Sequence, residues 1–283
     1  MIYISSSCIN SVKIKDSVQE LALNGFKNVE LSGGTDYYEG FEDDLIELKD
    51  KYNLSYRCHN YFPPPNEHFV LNLASLNDRI YKKSLDHIKK AISLSKLLGA
   101  RKYGFHAGFL IDIDVSEIGK KISKTNLFSR QESVSRFCLA YENIKNNTDG
   151  VDLYIENNVI SKTNFETYKG VNALMMTNFS EYESLKEKID FNLLLDLAHL
   201  KVSARTLGLN WEDEFENMMG VSNYIHISDN DGFHDLNNQL TRSSSLLSML
   251  KQSNTSKKDF TLEIYDEMDA IKKSYDILSE VVI

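Results

Sequence analysis

Proline is nearly missing from this chain: the 283 residues contain three, and they stand together as Pro63, Pro64 and Pro65. Proline-rich linkers, collagen-like repeats and long low-complexity tracts are thereby excluded. Cysteine is equally scarce. Cys8, Cys58 and Cys138 cannot all pair with one another and show no CxxC spacing, which excludes a disulfide framework and suits a reducing cytoplasm. Positive charge is in deficit, with 32 Lys and Arg against 41 Asp and Glu and a net charge of −9. Nucleic acid is therefore not expected as a main partner, since a duplex calls for a cationic face. No apolar run approaches the ~18 residues of a membrane span, and the start, MIYISSSCINS, lacks a charged segment followed by an apolar one. No membrane association is expected, and a cytoplasmic location is. There is also no GxGxxG or P-loop pattern to suggest a dinucleotide or nucleoside triphosphate.

What the chain does contain is an alternation of short β-prone runs with longer helical stretches. The runs are residues 2–7, 28–33, 55–60, 102–108, 152–158, 192–199, 223–229 and 260–265. Between the third and fourth, Ile80, Leu85, Ile88, Ile92, Leu94, Leu97 and Leu98 recur at helical spacing, and Gly99 offers a stop. Asp16 is a candidate N-cap for the first helix, which Gly25 closes. Eight strand–helix units predict parallel pairing through crossover helices and closure into a (β/α)8 TIM barrel. The first run begins at residue 2 and the last helix reaches the end, so a single domain over residues 1–283 is expected. Two connections look too long for turns: the one after strand three, with Tyr61, Phe62 and the prolines, and the one from Val159 to Asn178, with Met175 and Met176. Long loops after barrel strands commonly form the mouth of a site.

The polar residue near the end of each later strand carries the chemistry. These are His59, His106, Glu156, Asp196 followed by His199, His226 and Glu263. A parallel barrel brings all strand C-termini to one rim, so these side chains converge although they span over 200 residues. With His234, five of the seven histidines occupy such places. A single buried carboxylate could instead be a core acid neutralised by a cation, but only Arg57 and Lys102 lie on strands at a comparable level. Glu156, Asp196, His226 and Glu263 together read as ligands: three carboxylates and an imidazole suit Mn²⁺, Mg²⁺ or Co²⁺, with Zn²⁺ also compatible. His59, His106, His199, Tyr61 and Asp229 are candidate substrate contacts. Strand alternation sets His199 on the face opposite Asp196 unless the strand has already turned there. The run Asp229-Asn230-Asp231-Gly232 also fits a simple turn. Cys8 and Cys58 are expected to be buried packing, and Trp211 to be packing at a helix start.

The motifs HNYFPPP, LNLAS, FHAG, IEN, DLAH, HISDN and LEIY resemble the xylose isomerase-like TIM-barrel superfamily. That group holds sugar and sugar-phosphate isomerases and epimerases, sugar dehydratases, and the endonuclease IV type of apurinic endonuclease. The resemblance spans nearly the whole chain through short motifs whose order and spacing are the specific part. It implies that Glu156, Asp196, His226 and Glu263 match the shared metal ligands. It further implies that Glu156 and Glu263 match the acid/base pair of epimerase members, and His199 a substrate-contacting histidine. Endonuclease members hold three zinc ions and need both upstream histidines plus an Asp-x-His element after strand seven. His59, His106 and LNLAS are shared with that branch. The later segment reads DLNNQL, however, so Asp235 has a match while Asn237 stands where a histidine is expected, and TRSSS replaces a Gly-rich stretch. An amide cannot replace an imidazole as a strong zinc ligand.

The expectation is therefore a divalent-metal-dependent isomerase or epimerase of a small sugar or sugar derivative. One glutamate would take the α-proton, an enediolate would be stabilised by one divalent ion, Mn²⁺ before Mg²⁺, Co²⁺ or Zn²⁺, and the second glutamate would return the proton. The rivals are a sugar dehydratase on the same metal, an endonuclease IV-like enzyme, and a non-catalytic carbohydrate-binding barrel. A homodimer, the commonest symmetric assembly, is compatible with the sequence.

Overall fold

The computed structural model describes residues 1–148 and 150–282. Its strands are β1 (Ile2–Ser5), β2 (Asn28–Leu31), β3 (Ser55–His59), β4 (Lys102–His106), β5 (Asp152–Glu156), β6 (Asn192–Asp196), β7 (Tyr224–Ile227) and β8 (Asp259–Leu262). They close into a barrel in chain order, all neighbours parallel, with β1 paired to β8. Each strand lies inside or within a residue of one of the β-prone runs, because a strand covered on both faces must be apolar almost throughout. The register sets His106 opposite Glu156 and Asp196 opposite His226, so the polar strand ends are level with one another.

The helices are α1 (Ile14–Leu23), α2 (Phe41–Tyr52), α3 (Asp78–Leu97), α4 (Arg130–Lys145), α5 (Lys162–Thr167), α6 (Phe179–Lys186), α7 (Leu197–Leu207), α8 (Trp211–Val221), α9 (Ser245–Gln252) and α10 (Met268–Ser279). Two crossovers carry a pair of helices each, after β5 and after β6, where one was expected. The stretch from Val159 to Asn178 is accordingly not a bare loop: it contains α5, and Met175 and Met176 are buried in the core. Helix α1 starts at Ile14 with Lys13 as N-cap, so Asp16 sits in the first turn, where its charge complements the helix N-terminus. In α3, capped by the Asn77 side chain, Ile88, Ile92, Leu94 and Leu98 are buried but Leu97 is exposed. Leu97 lies nine residues past Ile88, about 180° around the helix at ~100° per residue, so it faces away from the barrel. Trp211 packs edge-on against Phe215, as expected. Among the described residues, no helix is long and apolar enough to cross a membrane.

The N-terminal end of the barrel interior is closed by a charged floor. Arg57 pairs with Asp259, Lys102 lies 3.1 Å from the same carboxylate, and the Met1 amine completes the group at 3.1 Å. The Arg57 guanidinium is sandwiched between the rings of Tyr3, 3.8 Å away, and Tyr224, 4.7 Å away. The two strand cations considered as partners for the rim acids are thus committed to this floor.

At the other end, short motifs brace the rim. Asn72 of LNLAS donates to the carbonyls of Phe109 and Ile111, both at 3.0 Å, and its Oδ1 accepts from the amides of Ala74 and Phe109. Gly108 of FHAG approaches so closely that a Cβ there would lie 2.3 Å from that of Ala74. His87 on α3 donates its Nε2–H to the carbonyl of Asn60 at 3.0 Å, tying the residue after His59 to the outer helix layer. Cys8 is buried beneath the end of β8; its sulfur accepts from the amide of Ile264 at 3.2 Å, and burial pushes the thiol up to about 12.

Candidate active site

His59, His106, Glu156 and Asp196 are the last residues of β3, β4, β5 and β6, His226 is in β7, and Glu263 directly follows β8. The rim gathers all six. His59 Nε2 is hydrogen-bonded to Glu156 Oε2 at 2.8 Å, and His106 Nδ1 is 3.3 Å from the same oxygen. His226 Nδ1 stands 3.5 Å from both Glu156 Oε1 and Glu263 Oε2. Four imidazoles pack in sequence, with ring centroids 4.7 Å apart for His226 and His59, 5.9 Å for His59 and His106, and 5.6 Å for His106 and His199.

His199 joins them for a reason that strand alternation conceals. β6 ends at Asp196 and α7 begins at Leu197, so Asp196 becomes the N-cap and its Oδ1 accepts from the His199 amide at 2.7 Å. One helical turn returns the imidazole to the same side as the carboxylate. His199 Nδ1–H donates to the Asn157 carbonyl at 3.0 Å, which leaves Nε2 facing Asp235 Oδ2 at 3.3 Å and Asp196 Oδ2 at 3.8 Å.

Burial sets the electrostatics, and the neighbours decide its sign. Burial opposes the charge of Glu156, yet His106, His59 and His226 outweigh it and hold the carboxyl well below its ordinary range. Burial with the nearby charges of Glu156 and Asp235 pushes Asp196 up to about 7, His199 acting in the opposite direction. His106 is pushed down to about 4, chiefly by burial. His226 is raised well above an ordinary histidine because Glu30 and Glu263 overcome its burial.

The residue that strand-end reading missed is Glu30, in β2, fully buried with its Oε1 2.8 Å from His226 Nε2. Its signal was a charge enclosed by the apolar run NVEL. The remaining expected contacts stand apart from the cluster in different ways. Tyr61 packs against Gly33 beside the proline loop. Asp229 accepts from Lys201 at 2.8 Å and from the Asn230 amide at 2.8 Å, which suits a turn anchor. His234 is exposed and pairs with Asp231. Asn237 is also turned from the cluster, its Oδ1 accepting from the Ser228 hydroxyl at 3.0 Å.

The residues fit a divalent cation. Glu30 Oε1, Glu156 Oε1, His106 Nδ1, Asp235 Oδ1 and both His226 nitrogens are buried without an aligned hydrogen bond, an expensive condition for polar atoms. Three overlapping sets of ligand atoms each lie within 4.8 Å: Glu30, His59, His226 and Glu263; His59, His106 and Glu156; and Glu156, Asp196 and His199. Carboxylate oxygen with imidazole nitrogen suits Mn²⁺, Mg²⁺, Co²⁺ or Zn²⁺.

Comparison with known proteins agrees with this architecture. A protein described as D-tagatose 3-epimerase-like superposes with a TM-score of 0.74 at 18% identity, over 99% of this chain and 96% of its own. Endonuclease IV from Thermus thermophilus superposes with a TM-score of 0.63 at 14% identity, over 99% of both chains. In sequence, 89 residues are 29% identical to a probable endonuclease 4 from Thermotoga maritima, covering 31% of this chain and 26% of that relative, so the match spans about a quarter of its length. The profile of the xylose isomerase-like TIM barrel matches residues 18–281, and with the closed barrel and its rim described, the chain belongs to that family.

Proposed function

We propose that the protein is a divalent-metal-dependent epimerase or isomerase of a small sugar or sugar derivative, with Glu156 and Glu263 as its proton-transfer pair. The observation that carries this reading is the placement of two buried carboxylates, each 3.5 Å from the same His226 nitrogen. A cation bound by Glu156, Asp196, His226 and Glu263 would polarise adjacent carbonyl and hydroxyl oxygens, easing loss of the α-proton. Mn²⁺ is the first choice. Glu156 and Glu263 are both held ionised, the imidazoles outweighing burial, so each can accept a proton. One takes the α-proton, and the other returns a proton to the opposite face or the neighbouring carbon. His59, His106 and His199 would hold sugar hydroxyls from one side of the rim. The D-tagatose 3-epimerase-like neighbour supports a ketose as first substrate to try. The test is exchange of substrate C–H with deuterated solvent, using Mn²⁺-loaded protein and a panel of ketoses. No exchange with any of them, despite bound metal, would reject proton transfer at a sugar carbon.

One observation favours a second reading, hydrolysis of abasic DNA. Asp235 faces His199, and Glu156 is common to two of the three ligand sets, as a site with more than one cation would need. Asn237 and the net charge of −9 weigh against it. Three equivalents of zinc together with cleavage of an abasic duplex would establish this reading in place of the first.

A further inference from the structure

Outside the rim, α5, the last turn of α7 and the loop after β7 enclose a cavity of about 620 Å³. Its wall carries three cations, Lys162, Lys169 and Arg205, against one acid, Glu166. That balance is the reverse of the whole chain, which has 41 acidic and 32 basic residues. The cationic excess extends past the cavity. Asn164 of α5 donates to the Lys120 carbonyl at 3.1 Å, and the Tyr168 hydroxyl donates to the Ser123 carbonyl at 3.2 Å. These bonds hold residues 120–125 against α5, with the exposed Lys120, Lys121 and Lys124 among them.

Arg205 is already fixed in place. Its guanidinium lies 3.7 Å over the ring of Phe233, and Nη1 donates to the Asp231 carbonyl at 3.4 Å. Gly232 permits that posture, since a Cβ there would lie 3.2 Å from Arg205 Cδ and Nη1. The Asp231 carboxylate is engaged elsewhere: it pairs with His234 Nδ1 at 2.9 Å and accepts from the amides of Phe233 and His234 at 2.7 and 2.8 Å. Among the described residues, no carboxylate forms an ion pair with Arg205 or Lys169, and Glu166 reaches Lys162 at 3.9 Å. A guanidinium has five donors, so most of this one is left for a ligand, and its fork matches two phosphate oxygens at once.

Phe165 and Phe233 supply the apolar part of the wall, and Phe233 is 44% exposed. A bare inorganic anion would use none of that surface and would fill little of the space, whereas cavities of ~300–1,000 Å³ take whole small molecules. We propose that this cavity binds a nucleoside phosphate, its phosphate on Arg205, Lys162 and Lys169 and its base against Phe165 and Phe233. Aromatic faces beside fixed cations suit a flat base joined to an anion. The chain lacks the glycine-rich loops that cradle phosphate through backbone amides, so recognition falls to side chains. The proposal rests on neither the cation at the rim nor the sugar chemistry.

The test is calorimetry on the full chain in metal-free, low-salt buffer, with adenosine monophosphate, adenosine and inorganic phosphate as probes. The nucleotide is expected to bind about tenfold more tightly than either fragment, and to weaken as KCl is added. Arg205→Gln should weaken it about tenfold and Lys169→Gln about threefold. Both side chains are exposed, so neither change empties a core position. No binding of the nucleotide by wild type, or wild-type affinity in whichever variant folds, would overturn the proposal. So would phosphate matching the nucleotide, since the rings would then contribute nothing, or adenosine matching it, since the cations would not. Loss of nucleotide binding in Glu263→Gln would put the ligand at the rim and equally overturn it. A single-stranded oligonucleotide bound more tightly than the nucleotide, through the same Arg205, would replace the small molecule with a strand.

Discussion

At the N-terminal end of the barrel, Arg57, Lys102 and the Met1 amine surround one carboxylate, Asp259. At the C-terminal end, Glu156, Asp196, Asp235, Glu263 and Glu30 crowd around four imidazoles, and several of their atoms have no aligned partner. Both clusters are enclosed by the same strands. The floor sets three cations around one acid and stacks Arg57 between tyrosines, so its charges offset one another even though Arg57 Nη1 makes no hydrogen bond. The rim sets five acids against four imidazoles and could hold a cation. Buried charge in a barrel is therefore not by itself a mark of chemistry; what separates the two ends is the concentration of acid at the rim.

The sharpest way to separate the two ends is to alter one acid in each. Glu263→Gln at the rim should reduce exchange of substrate protons with solvent by about 10²- to 10⁴-fold while the urea midpoint stays near wild type. Wild-type exchange rates would dismiss Glu263 from proton transfer. Asp259→Ala on the floor should do the reverse. It strands Arg57 without its partner and should cost about 3 kcal/mol of unfolding free energy, read by urea denaturation. Co²⁺ affinity should be unchanged, and a large loss of it would mean that the floor and rim are not separate systems.

His87 supplies an intermediate case, a buried imidazole facing no acid. Burial lowers it to about 4, with Lys90 adding in the same direction and the Asn60 carbonyl opposing. The unfolded chain takes up this proton near pH 6.5, whereas the folded one resists until about 4. The stabilisation is therefore complete above ~6.5 and is lost as pH falls towards 4, amounting to about 3 kcal/mol across that window. His87→Gln keeps an N–H for Asn60 and should flatten this limb of the stability curve; a curve parallel to wild type would disprove the assignment. The smallest effect is that of the cation on folding. Mn²⁺ at about 100 times its Kd should add about 2.7 kcal/mol and raise Tm by on the order of 5 °C, reversed by chelator. Equal Tm with and without chelator would mean that the rim does not prefer the loaded state.

The barrel was legible in the sequence because each parallel strand has to be apolar along its length, and the rim because polar residues interrupt that pattern at the strand ends. His59, His106, Glu156 and Asp196 end their strands, Glu263 follows β8 and His226 lies one residue inside the end of β7, and the structure gathers them. Glu30 holds the place in β2 that His226 holds in β7, one residue before the end, so the same rule applied to the second strand would have marked it. The inward position of His199 depends on where β6 gives way to α7, a boundary set by the Asp196 cap and not by hydrophobic period. Asp235 lies on a loop, where no periodicity operates. The doubled helices after β5 and β6 have the same origin: short segments such as Lys162–Thr167 are decided by capping and by what the barrel leaves uncovered.

Cys8 ties the first strand to the last. Its sulfur is buried where the chain, having gone around the barrel, meets its own beginning, with Leu262 at the end of the closing strand and Ile264 just beyond it against the sulfur. A thiol so placed should react with a labelling reagent only when that seam parts, whereas Cys138 is partly exposed and should react faster. The two cysteines thus form a clock and its reference. The rate at which Cys8 is labelled, divided by that of Cys138, counts how often the closed ring opens, and a cation gripping Glu263 beside the seam should slow it.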